Sequence, residues 1–125
     1  MLDPQLIAFI RHSIRSIWAL ELLLLLRRRS PNAIAGEELV RDLRATPNLI
    51  ERLIDQLVVS GLAVRESCGD VRFAPVSQEL ERMCEALDSA SRERPIALRD
   101  AIASTPNDIL KNFADAFRFK KDTDE

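Results

Sequence analysis

Gly36-Glu37-Glu38-Leu39-Val40-Arg41-Asp42-Leu43-Arg44-Ala45-Thr46-Pro47-Asn48-Leu49-Ile50-Glu51-Arg52-Leu53-Ile54-Asp55-Gln56-Leu57-Val58-Val59-Ser60-Gly61-Leu62, continued by 63–75, is the stretch that decides the fold. Leu39, Val40 and Leu43 fall on one face of a short helix over 36–44, with Glu37 and Glu38 in the first turn, where the helix dipole favours acids. Ala45 ends it. Thr46-Pro47 then opens a second helix with an N-cap hydroxyl and a proline at the first helical position, where its missing N–H costs nothing. Leu49, Ile50, Leu53, Ile54, Leu57 and Val58 keep the i, i+3, i+4 spacing, and Gly61 supplies the left-handed residue that ends the helix and lets Leu62 pack back on it. Residues 62–66 and 70–74 alternate with period two around Ser67-Cys68-Gly69, which predicts a hairpin closed by Pro75. The order is helix, turn, helix, two-stranded hairpin.

Upstream, 4–29 reads as one long helix, carrying Leu6, Ile7, Ile10, Ile14, Ile17 and Trp18 at helical spacing, with a bend expected near His12-Ser13. Arg27-Arg28-Arg29 put positive charge in its last turn, Ser30-Pro31-Asn32 stop it, and 33–35 has the length of a minor strand. Downstream, Ser77 begins a helix with Leu80, Met83, Cys84, Leu87 and Ala90 at helical spacing, and Pro95 restarts another with Ile96, Leu98, Ala101 and Ile102. Thr105-Pro106 repeats the cap-then-proline pattern before an amphipathic piece containing Ile109, Leu110, Phe113 and Phe117. The layout is therefore one domain over 1–119: a long N-terminal helix over 1–34, the central unit over 35–75 and C-terminal helices over 76–119. A solvated tail over 120–125 follows.

Composition narrows the class. A chain of 125 residues, 46% hydrophobic and 30% charged, is expected to be a soluble globular domain with one core. The apolar run over 17–26 is broken by Glu21 and falls short of the roughly 20 residues a membrane span needs, and no signal peptide is visible at Met1-Leu2-Asp3-Pro4. We expect no membrane association and a cytoplasmic location. Cys68 and Cys84 lack ligand spacing and His12 is the single histidine, so no metal and no cofactor are expected; a redox role for Cys68 stays open. One histidine, no tyrosine, no phosphate loop and no nucleophile elbow argue against an enzyme.

Leu39-x-x-x-Leu43, Leu49-x-x-x-Leu53-x-x-x-Leu57 and 59–64 with the following hairpin resemble the winged helix-turn-helix superfamily of bacterial transcription regulators, in particular its multiple-antibiotic-resistance-regulator-like branch. The first helix, with its leucine run over 17–26, and Phe113-Ala114-Asp115-Ala116-Phe117 also resemble a set of small, uncharacterised bacterial winged-helix proteins. The resemblance covers about 60 residues and rests on pattern, with no invariant chemical motif. It implies a mainly α fold, a winged helix-turn-helix with a two-stranded β wing and additional N- and C-terminal helices. It also implies a DNA-binding transcriptional regulator working as a homodimer.

On that implication 47–60 is the recognition helix, with Asn48, Glu51, Arg52, Asp55 and Gln56 outward. Asn48 and Gln56 suit adenine edges and Arg52 suits guanine; Thr46, Arg65 and Arg72 complete the DNA-binding candidates, the last two near phosphates. Charge pulls the other way. Residues 35–75 carry five arginines against seven acids, a net of −2, while 1–34 carry five against two, a net of +3. The acidic face of the recognition helix keeps a second reading open, a winged-helix protein-protein interaction module that does not bind DNA. The leucine run has two readings as well. Trp18, Leu22, Leu23, Leu25 and Leu26 are candidates for a dimer interface together with Phe113 and Phe117, or the leucines are covered by the chain's own helices. The Phe-rich end either locks onto the core or docks a protein partner.

Overall fold

The computed structural model describes residues 2–104, and among these it contains six helices and one two-stranded antiparallel sheet. They are α1 (Pro4–Ser13), α2 (Ile17–Arg29), α3 (Gly36–Leu43), α4 (Pro47–Val59), β1 (Ala63–Arg65), β2 (Val71–Phe73), α5 (Gln78–Glu93) and α6 (Pro95–Ser104). The piece expected after Thr105, with Phe113 and Phe117, lies outside the described residues.

The long N-terminal helix expected over 4–29 is two helices, broken where the bend near His12-Ser13 was expected, and the break has a local cause. The chain leaves helical geometry at Ile14, whose backbone is extended, and Ser16 then caps a new helix, its hydroxyl accepting a hydrogen bond from the Ala19 amide at 3.1 Å. Ile14 is fully buried at the corner. Asp3 caps α1 in the same manner, accepting from the Gln5 amide at 2.8 Å, so each helix has its own start signal.

The helix-turn-helix follows the expected grammar. Thr46 Oγ1 accepts from the Leu49 amide at 3.2 Å, with Pro47 at the first helical position. At the other end of α4, the Gly61 amide donates to Val58 O at 3.0 Å and the Leu62 amide to Leu57 O at 2.9 Å, the paired bonds of a Schellman cap. Gly61 adopts φ +78°, and Leu62 is buried against the helix it has just left. The turn before α4 is less expected, because Arg44 and not a glycine takes the left-handed cap of α3 at φ +56°.

In the wing, Ala63 pairs with Phe73, Val64 with Arg72 and Arg65 with Val71. Its strands are three residues each, shorter than the alternation suggested, and Ile34 adds a bridge to Val71 where a minor strand was expected.

Packing makes α2 the centre of the molecule. It lies against α3, α4, β2 and α6, while α1 packs on α5 and α6. A helix so enclosed has to be apolar nearly all round, which is why the leucine run exists. Leu22, Leu23 and Leu26 are wholly inaccessible. At about 1.5–3 kcal/mol for each buried leucine, they are among the larger contributors to the core.

Candidate nucleic-acid interface

The outward face of α4 contains the side chains assigned to it. Ile50, Leu53, Ile54 and Leu57 are buried, and Asn48, Glu51, Arg52, Asp55 and Gln56 are exposed on the opposite side, as a 3.6-residue repeat requires. Thr46 is exposed at the helix start, with its oxygen engaged as the cap and its hydroxyl proton still able to donate.

The wing arginines do not act together. Strand parity separates them: Ala63, Arg65, Val71 and Phe73 belong to one face of the hairpin, and Val64 and Arg72 belong to the other. Ala63, Val71 and Phe73 are buried, so theirs is the face turned towards the body of the protein. Arg65 lies on that face at its outer end and reaches α4, where one Nη donates to Glu51 Oε1 at 2.8 Å and to Asp55 Oδ1 at 3.2 Å. Arg72 stays within the wing and donates through Nε to Glu66 Oε2 at 2.6 Å. Register thus puts the two arginines on opposite faces of the hairpin, each engaged by carboxylates of the chain.

Desolvation of the Arg65 guanidinium opposes its charge, but hydrogen bonds to Asp55 and Glu51, with the charges of both carboxylates, more than offset it and raise its pKa. Glu51 and Asp55 are four residues apart on one helix face, where like charges repel, and the arginine between them relieves that repulsion.

Of the triplet at the end of α2, Arg28 is exposed without an ion pair among the described residues, and the other two are engaged. Arg27 pairs with the buried Asp88 of α5, and Arg29 bonds Glu38 at 2.8 Å and Asp42 at 3.2 Å on α3. The Glu38 hydrogen bond is the main cause of a raised Arg29 pKa. Arg27, Arg29, Arg65 and Arg72 thus serve four different sets of carboxylates and form no common cationic patch.

Two residues outside the sequence-derived set belong to this surface. Arg41 on α3 and Arg44 in the turn are exposed, and with Arg52 they form no ion pair among the described residues. Arg41 could have been found from its place opposite Leu39 and Leu43 on the short helix, whereas nothing local marks Arg44 as a left-handed residue.

The proposed dimer surface is reduced. Leu22, Leu23 and Leu26 have no surface left for a partner, because the chain's own helices cover them, which corrects their assignment. Leu25 is half-buried and Trp18 is 39% exposed. Cys68 is an exposed free thiol in the wing turn and Cys84 a buried one. Among the described residues no group of three or more His, Cys, Asp or Glu side chains is placed to hold a metal ion, and no helix is long and apolar enough to cross a membrane.

No family model matches the chain, and no curated protein matches it in sequence. A solved structure matches in fold: the multiple antibiotic-resistance repressor (MarR) of Listeria monocytogenes, with a TM-score of 0.50 and 15% identity over 97% of this chain and 88% of that one. The likeness is one of fold, and it spans the flanking helices as well as the helix-turn-helix and wing. The chain has a mainly helical, MarR-like winged-helix fold.

Proposed function

We propose that this chain is a DNA-binding transcriptional regulator that works as a homodimer, with α4 entering the major groove. The observation that carries the reading is the surface of the helix-turn-helix: Arg41, Arg44 and Arg52 are exposed without ion-pair partners among the described residues, beside Asn48 and Gln56. Arg52 would read guanine O6 and N7, and Asn48 or Gln56 an adenine edge. Arg41 and Arg44 would meet the backbone where α3 crosses it, and the Thr46 hydroxyl with the α4 N-terminus would meet another phosphate. Trp18 and Leu25 would contribute to the dimer contact, together with Phe113 and Phe117 of the C-terminal segment. Two-fold pairing doubles the phosphate contacts and calls for a palindromic site. The function is non-enzymatic, needs no cofactor and belongs in the compartment that holds the DNA, the cytoplasm.

The test is a titration of genomic fragments across a salt series. Affinity should fall steeply with salt, and Arg52→Ala should cost about 1–3 kcal/mol at one base position. A folded dimer that captures no fragment at low salt rejects the reading. The second reading, a protein-interaction module, is favoured by the Glu51–Arg65–Asp55 ion-pair cluster, which cancels charge on the α4 face. It predicts no salt-dependent DNA binding at all.

A further inference from the structure

The α4 face carries Glu51 and Asp55 against Arg52 and Arg65, a net charge of zero, and the pairing within it is unequal. Arg65 is engaged by both carboxylates through a single nitrogen, while Arg52 has no ion-pair partner among the described residues. Of the two cations on this face, one is free to read a base and the other is held by the protein. Glu51 and Asp55 are 59% and 68% exposed in their side chains and Arg65 is 34% exposed, so the cluster lies at the surface, where such pairs are weak and exchange with solvent ions. Duplex phosphates, at one charge per about 1.7 Å of helix axis, are the competing anion.

We propose that Glu51 and Asp55 are specificity-determining residues: by holding Arg65 they withhold it from duplex phosphates and suppress sequence-independent binding. The proposal rests on the DNA-binding reading above. Its physical content is a competition for one guanidinium. On a generic duplex the phosphate contact has to replace two intramolecular ion pairs, so it adds little net affinity. Binding then depends on the base contacts of Asn48, Arg52 and Gln56. With both carboxylates neutralised, Arg65 becomes an ordinary phosphate contact, and affinity rises for every sequence alike.

The experiment uses the full chain in four forms: wild type, E51Q/D55N, R65Q and the triple variant. The probe is a short mixed-sequence DNA duplex, with binding followed by fluorescence anisotropy over a series of salt concentrations and folding checked by circular dichroism. E51Q/D55N should bind roughly tenfold tighter, with a log K against log salt slope steeper by about 0.9, the signature of one added phosphate contact. R65Q alone should change affinity by less than about twofold, because the held arginine contributes little. The triple variant should lose the added slope.

Four outcomes overturn the proposal. If the triple variant keeps the full gain and slope of E51Q/D55N, the carboxylates act by plain repulsion and not through Arg65. If R65Q alone weakens binding tenfold, Arg65 is already a phosphate contact. Binding by all four forms with one common slope removes the competition while leaving DNA binding intact, whereas no binding by any folded form at low salt removes both readings together.

Discussion

The Arg27–Asp88 pair couples the winged helix to the C-terminal helices, and breaking it from either side should not cost the same. Asp88 lies on α5 with its side chain 9% exposed, and Arg27 at the end of α2 is 27% exposed. Arg27→Met keeps the aliphatic stem but strands a buried carboxylate whose remaining cation, Arg92, is 3.9 Å away and itself 69% exposed. Removing one partner of a buried pair costs about 3–5 kcal/mol, and the residual Arg92 contact argues for the lower end, about 3. Asp88→Asn leaves an arginine that can swing its head into water, so its cost should be nearer about 1 kcal/mol, as for an exposed pair. Urea unfolding followed by helical circular dichroism, at fixed protomer concentration, separates the two. With an m-value of about 1–3 kcal/mol/M, Arg27→Met should lower the midpoint by about 1–3 M at unchanged m. The double variant should be less destabilised than the sum of the singles by at least about 1 kcal/mol, because the stranded charge is gone. Equal losses from the two singles, or singles that add within about 0.5 kcal/mol, would refute the reasoning.

Three further outcomes follow from local structure. Ser16→Ala should destabilise by about 1 kcal/mol in the same urea assay while Ser16→Asp does not, since either a hydroxyl or a carboxylate can cap the Ala19 amide; equal losses would remove the cap as the reason for the helix break. Gly61→Ala should cost about 1–2 kcal/mol, because φ is +78° and the new Cβ would lie 2.9 Å from Val76 Cγ2; trimming Val76 to Ala in that background should relieve the contact and leave the backbone strain. Burial pushes the Cys84 thiol from its ordinary 9.0 up to about 12, so the unfolded chain ionises first and stability should fall as pH rises from about 9 towards 12. Cys84→Ala should flatten that decline, and parallel profiles of urea midpoint against pH would refute it.

What could be read from the sequence was local, and what could not was relational. Thr46-Pro47 and Gly61-Leu62 announce the ends of α4 because capping is a matter of a few neighbouring backbone groups, and the structure has the corresponding bonds. The exposed set on α4 follows from helical period alone. The break before Ser16 falls beside the bend expected near His12-Ser13, but its full extent, two separate helices with Ser16 as a new cap, was hidden by uninterrupted helical spacing on either side. Arg65 shows a different failure. Counting alternate residues along the hairpin separates Arg65 from Arg72 once the register is known, yet register depends on a three-residue pairing that composition does not specify. The partners of Arg27 and Arg29 were beyond reach for a stronger reason, because Asp88 is 61 residues from Arg27 and meets it only when α5 has packed.

The disposition of charge links these elements to function. On the helix-turn-helix, Arg41, Arg44 and Arg52 stay unpaired among the described residues, while Arg27, Arg29, Arg65 and Arg72 outside it are tied to carboxylates on α5, α3, α4 and the wing. Those ties do two things at once. Those of Arg27 and Arg29 hold α2 to α5 and α3, and all of them cancel positive charge that a non-specific DNA binder would leave on display. A surface of this kind gains little from long-range attraction, since the region over 35–75 has a net charge of −2. On the proposed DNA-binding reading, affinity has to come from a few well-placed contacts, and a second copy of the chain is the simplest way to double them. That is why the dimer and the DNA reading stand or fall together. A monomer whose helix-turn-helix presents Arg41, Arg44 and Arg52 beside a self-neutralised wing would meet a duplex with too few phosphate contacts to be retained at physiological salt, whatever its base-reading residues could recognise.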